Sequence, residues 1–297
     1  VWLNLQSTYN QKLIEIQQAK DFDAQKELAK EIDYKYFVDV IGLPPARNIS
    51  DKVASLCKFF RVSDLRIMLQ PDFLVSFRSS LTSSSEKNVI NSRAWIQTAM
   101  NISVNIETSP YNAEKLKEYL PELRGMTIKK PEEFLPRMKE IFKECGIAFV
   151  LLPHLKNSGV NGAVKWMSDD RVVLAMNNRG LYADKFWFSL FHEIKHIFQQ
   201  KIKTVFISST IEEMMDINSS LETEADRFAT NYLIPPAEYK KFAPSRYTSD
   251  DEIIAFAEKI GIHPGIVAGR LQHEGIIAQN RCSKLKEKYV IEIERSA

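Results

Sequence analysis

The chain has 297 residues, room for one large domain or two modest ones, and its 44% apolar share is that of a globular protein with a sizeable core. With 40 basic and 38 acidic residues the net charge is +2 and both signs are intermixed, which gives no argument for wholesale attraction to nucleic acid or to a membrane surface. No apolar stretch approaches a membrane span, no leader-like basic-then-apolar pattern opens the chain, and the three cysteines (Cys57, Cys145, Cys282) lie far apart, so reduced thiols in a cytoplasmic protein are expected.

The chain starts on Val1 without an initiator methionine and is read as a fragment. Residues 3–40 carry Leu13, Ile16, Leu28, Ile32 and Tyr36 at helical spacing, with Asp21-Phe22-Asp23 expected to break the run into two helices and Gly42-Leu43-Pro44-Pro45 to end it. Ser50 is expected to cap a helix to residue 60, and Ser63 a short one to residue 69, stopped by Pro71. The serine-rich stretch 79–85 reads as a polar loop. Helices are expected over 86–100, 113–119 and 131–144, the last closed by Gly146. Strands follow at 147–152, 162–166 and 172–176, with a turn at 168–171 between the second and third. A long amphipathic helix covers 184–201, then a strand at 205–207, a helix at 219–233 stopped by Pro235-Pro236, helices at 250–260 and 264–272, and a last strand at 289–293. The expected class is α+β, mostly helical with a small mixed or antiparallel sheet. A helical region is expected over 1–125 and a second domain over 126–297.

The chemistry concentrates in His192-Glu193-Ile194-Lys195-His196, an H-E-x-x-H pentad inside an apolar run. Four residues is slightly more than one helical turn, so His192 and His196 share a face and can grip one metal ion. Glu193, about 100° further round, is placed to act as general base on an attacking water. A catalytic zinc needs a third protein ligand. In Ser219-Ser220-Leu221-Glu222-Thr223-Glu224-Ala225-Asp226, Glu222 and Asp226 share a helix face while Glu224 points about 200° away from Glu222. Glu222 is the expected ligand, Glu224 the second choice, and Asp226 the partner of a ligand histidine's outer nitrogen. The competing reading is a capping box, Ser219-x-x-Glu222, in which Glu222 only satisfies a helix start. His273, Arg270 and Tyr182 are candidates to stabilise an oxyanion or contact substrate, and His154 and His263 read as ordinary turn residues. The strand at 162–166 offers an edge for an extended peptide. Phe256 to His263 and the helix after it have helix-turn-helix spacing, but a plain helical hairpin is the preferred reading, because the second helix offers mainly Arg270 and Gln272 as base readers.

Three segments resemble the ImmA/IrrE metallopeptidases: Gly162-Ala163-Val164-Lys165-Trp166, the run Phe186 to Glu193, and Glu222-x-Glu224-Ala225-Asp226-x-Phe228-Ala229 with Leu233-Ile234-Pro235. The segment Gly261 to His273 is similar to that family's C-terminal part. The resemblance implies a zincin-like core, zinc on His192, His196 and Glu222, and a cytoplasmic endopeptidase acting on a transcriptional repressor or antitoxin-like partner. Trp2-Leu3-Asn4-Leu5-Gln6-x-x-Tyr9 resembles the last helix of HigA-type DNA-binding domains, and Phe59-Phe60-x-Val62-Ser63 with Phe77-Arg78-x-Ser80 resembles the segment after that helix in fused proteins. DNA contact is therefore expected only through an upstream helix-turn-helix domain, with no membrane partner, and a homodimer is compatible with the reading. The family has a small residue where this chain has Lys195. A lysine there would either weaken metal binding and partly fill the cleft, or send its stem to solvent without effect. The alternative function is a regulator whose peptidase-like domain serves as sensor or binding module.

Overall fold

The computed structural model describes residues 2–70, 86–177, 182–199 and 211–289. The elements are mostly helical, with one small mixed sheet of three strands. The helices are α1 (Trp2–Glu31), α2 (Tyr34–Tyr36), α3 (Ile49–Phe60), α4 (Glu86–Ser103), α5 (Ala113–Gly125), α6 (Pro131–Glu144), α7 (Ala183–Phe198), α8 (Ile211–Leu233), α9 (Pro236–Phe242), α10 (Asp250–Ile260) and α11 (Pro264–His273). The strands are β1 (Ile147–Leu152), β2 (Gly162–Ser168) and β3 (Arg171–Asn177). Among the described residues no helix is long and apolar enough to cross a membrane. Cys57, Cys145 and Cys282 are free thiols.

The chain divides into two compact units. The first runs through Asn101 and takes in His154–Val160. Its core includes Ile32, Phe37, Leu56, Phe60, Met68 and Trp95, and the Gly159 N–H donates to Ser92 Oγ. The expected break at Asp21-Phe22-Asp23 is absent, and α1 continues through it. Gln17 donates to Asp21 and Lys26 to Asp23, each at 2.9 Å, so the two acidic side chains bond along the helix surface instead of competing for its backbone. Two expected caps shift. Asn48, with an extended backbone, accepts from the Asp51 N–H at 2.9 Å and displaces Ser50. Asp64 accepts from the Arg66 N–H at 2.8 Å and displaces Ser63 at a 3-10 turn over Leu65–Leu69.

The second unit comprises Ile102–Pro153 and the described residues from Asn161 onward. Residue 125, the expected domain boundary, closes α5 inside this unit, where Leu116, Leu120 and Leu123 join the same core as the strands. Gly146 carries the chain from α6 into β1 at φ +81°, and a Cβ there would lie 2.3 Å from the Tyr111 backbone, so only glycine fits. The strand order is β1-β3-β2, with β1 parallel and β2 antiparallel to β3. The β2–β3 hairpin turns over residues 168–171 as expected. Among the described residues β2 is an edge strand, and α7 packs on it. Helices α10 and α11 form the expected hairpin, with Phe256, Ala257, Ile266, Val267 and Leu271 buried in the core. The serine-rich stretch, the segment around Phe77 and the expected strand at 205–207 lie outside the described residues. So does nearly all of the expected strand at 289–293, of which Tyr289 is buried and not in a strand.

Candidate metal centre

The apolar spacing of α7 buries Phe186, Trp187, Leu190, Phe191, Ile194 and Ile197, and the Trp187 indole donates to the Tyr289 hydroxyl at 2.8 Å. That anchoring sets the rotation of the helix. It leaves His192 and His196 stacked one turn apart, their Nε2 atoms 2.9 Å from each other.

Helix α8 lies along α7. Its buried positions Leu221, Ala225, Ala229 and Leu233 recur every four residues, and the two alanines let the helices come close. The contact brings Glu222 to the histidines, with Oε2 3.3 Å from His192 Nε2 and Oε1 3.5 Å from His196 Nε2. The capping-box alternative for Glu222 is excluded, because α8 begins at Ile211, roughly two turns earlier, and Ser219 is interior to it. There the Ser219 carbonyl accepts from the Thr223 hydroxyl at 2.9 Å.

The outer ring nitrogens are also held. His192 Nδ1 is 2.8 Å from Asp226 Oδ1, and His196 Nδ1 is 2.8 Å from Gln199 Oε1. Carboxylate and amide oxygens only accept, so both Nδ1 atoms donate and the Nε2 atom of each neutral ring carries a lone pair. Two lone pairs at 2.9 Å repel unless a cation or proton sits between them. Buried Glu222 Oε1, in addition, has no hydrogen-bond partner. A tetrahedral ion with bonds of about 2.0–2.2 Å spaces its ligand atoms by about 3.3–3.5 Å. The two histidine–carboxylate separations, 3.3 and 3.5 Å, are close to that spacing but reach different oxygens, Oε2 and Oε1, so the carboxylate faces both rings, and the imidazole pair is a few tenths of an ångström tighter. His192, His196 and Glu222 together could hold a metal ion.

The electrostatics point the same way. Burial pushes the Glu222 carboxyl up, but the hydrogen bonds and charge that His192 and His196 supply when protonated on Nε2 outweigh it and hold the carboxyl well below the usual carboxylate range. Burial depresses His192, but the bond its protonated Nε2 makes to Glu222, with the charges of Glu193, Glu222 and Asp226, carries it above the ordinary histidine value. The pocket thus favours positive charge between three fixed donors. Glu193 is buried beside them, and that burial raises its carboxyl against the opposing pull of His196 and His192, with Glu222 adding to the rise. Gly162 on β2 lies against it: a Cβ there would be 2.7 Å from Glu193 Cγ.

Lys195 does not stand free. Its ammonium is 3.0 Å from Glu224 Oε1, and the two line a cavity of about 310 Å³ with Arg227, Phe228, Asn231 and Tyr232. None of the three candidate ligands lines that cavity. The oxyanion candidates sit elsewhere. Arg270 is engaged by Glu274 at 2.8 Å and lies 3.7 Å over the Tyr239 ring. Tyr182 precedes α7 and sits about 15 Å from His192 along the helix axis. His273 is exposed in the last turn of α11 beside Glu274. The turn histidines behave as expected: His154 bonds to Ser158, and His263 caps α11 by accepting from the Gly265 N–H. Gln199 and the Gly162 contact are the site features that sequence reasoning did not single out. The i,i+3 spacing of His196 and Gln199 was the available signal. No protein-family model matches the chain, and no curated protein matches it.

Proposed function

We propose that this chain is a zinc-dependent endopeptidase with a zincin-like core, related to the ImmA/IrrE metallopeptidases, that cleaves a transcriptional repressor or antitoxin-like protein in the cytoplasm. The observation that carries the reading is the convergence of two imidazole lone pairs and a buried, unpartnered carboxylate oxygen on one point, with both outer ring nitrogens tied back. Zinc held there would acidify a water and polarise a scissile carbonyl.

The protein's own side chains would supply the rest. Glu193, with a carboxyl held above its usual range, accepts a proton from the attacking water and returns it to the leaving nitrogen. Asp226 and Gln199 keep the two rings from turning. The β2 edge, whose first residue Gly162 has no room for a Cβ beside Glu193, would give an extended substrate backbone a ladder to pair with and bring its amide to the carboxylate.

The test is Glu193→Gln. The variant is expected to keep its metal and to lose cleavage of proteins encoded beside it, read by mass spectrometry with and without chelator. Undiminished cleavage removes Glu193 from the mechanism. Wild-type protein prepared without added zinc that carries less than about a tenth of an equivalent per chain would instead favour the sensor or binding-module reading.

A further inference from the structure

The amide of Gln199 has a direction, and the direction is imposed on it. Gln199 is buried at the C-terminal end of α7. Its Nε2 donates to the Leu221 carbonyl at 3.0 Å and to Glu224 Oε2 at 2.8 Å. Both partners only accept, so the NH₂ group must face them and Oε1 must face His196. An amide oxygen cannot donate, so the proton of that bond resides on His196 Nδ1 and the Nε2 lone pair is left turned toward His192 and Glu222. The other oxygen of Glu224 is taken by the Lys195 ammonium at 3.0 Å. Four side chains on two helices thus form one line: Lys195, Glu224, Gln199, His196.

We infer that Gln199 is a positioning residue that locks His196 in its metal-binding tautomer, its amide oriented by Glu224 and the Leu221 carbonyl, and that Lys195 steadies this relay by holding Glu224. The inference rests on the metal reading above. It gives the lysine a place in the centre's support. The relay also differs in kind from the carboxylate behind His192: an amide transmits direction without adding charge, so its failure has a signature that charge alone does not produce.

The experiment is zinc affinity, by competition with a chromophoric chelator, for the wild-type chain and for Gln199→Leu, Gln199→Glu, Glu224→Gln, the double change Gln199→Glu with Glu224→Gln, and Lys195→Ala. Loss of a group that orients a metal ligand costs about 10- to 100-fold in affinity, and that loss is expected for Gln199→Leu. Gln199→Glu is decisive in sign. By charge alone a carboxylate near the cation should tighten binding. One of its oxygens can still accept from His196 Nδ1, but the other, in place of the NH₂ group, faces Glu224 and the Leu221 carbonyl with no donor and is repelled, so the side chain turns away and binding is expected to weaken about 10-fold or more. Adding Glu224→Gln restores a donor and should recover part of the loss. Lys195→Ala removes a partly exposed ion pair and is expected to weaken binding less than about fivefold.

Zinc bound by Gln199→Glu as tightly as by wild type, or more tightly, overturns the inference. A second readout does not depend on how any variant folds. Two-bond ¹H–¹⁵N spectra of the metal-free wild-type protein should show His196 protonated on Nδ1, and a proton on Nε2 alone overturns the inference as well. Wild-type protein that takes up no zinc overturns the metal reading itself, an outcome distinct from unchanged affinities among variants of a protein that does bind.

Discussion

Gly162 lies where β2 passes the motif helix, and an added Cβ would meet three side-chain atoms: Glu193 Cγ at 2.7 Å, Met176 Sδ at 2.9 Å and Glu193 Oε1 at 3.0 Å. All three belong to flexible chains, so the fold can yield where the chemistry cannot. Gly162→Ala is expected to cost about 1–3 kcal/mol of stability. It should lower kcat about 100-fold at unchanged zinc content, because a misplacement of about 1 Å in a reacting group has that effect. An undiminished kcat would show that Glu193 does not work from this position. At the same scale the two readings of Lys195 give way to a third. The side chain neither stands over the histidines nor runs free to solvent, because Glu224 on α8 supplies a carboxylate to it. Spacing along α7 could not foresee that partner, which lies on another helix.

At the level of elements, helix ends were the least legible feature, and α11 shows how much chemistry an end can carry. Its N-cap is His263, whose Nδ1 accepts from the Gly265 N–H at 3.1 Å and must therefore stay unprotonated. Burial, the leading cause, lowers the His263 pKa against the opposing charges of Glu287 and Asp184. The unfolded chain then binds a proton more readily than the folded one, so stability is lost as pH falls below about 6.5. In metal-free protein, His263→Asn should keep the cap and lose less stability between pH 7.5 and 5.5 than wild type, measured by urea midpoints. Equal losses in the two proteins would remove His263 from the acid response. The start of α8 shows the same limit of spacing. Ser219 has the pattern of a cap, yet the helix began earlier, and a pattern of four residues does not reveal how far upstream the backbone was already helical.

For the molecule as a whole, the consequence lies in linkage. His192 and His196 on α7 and Glu222 on α8 could hold one ion, and an ion so held would bind the folded second unit and find no such site in the unfolded chain. The thermal midpoint should rise with zinc, the folded state gaining about 2.7 kcal/mol at a free concentration of 100 times Kd. Glu222→Ala should abolish most of that rise, read as the difference between the midpoints with and without zinc in the same variant. A midpoint indifferent to zinc in the wild-type protein would speak against a centre that spans the two helices.

Local periodicity by itself determined which residues could meet. The strand runs of β1, β2 and β3 follow from short apolar stretches bounded by turn residues, and the helices carrying the site and the pairing of His192 with His196 from a repeat of 3.6 residues, and such local signals need no knowledge of the rest of the chain. The third donor was a different kind of question. Helical spacing puts Glu222 and Asp226 on one face and Glu224 on another, but the phase of α8 against α7, set by Leu221, Ala225, Ala229 and Leu233, is what turns Glu222 to the imidazoles, Asp226 to His192 Nδ1 and Glu224 to Gln199 and Lys195. That phase is a property of two packed surfaces, and no spacing within one helix contains it.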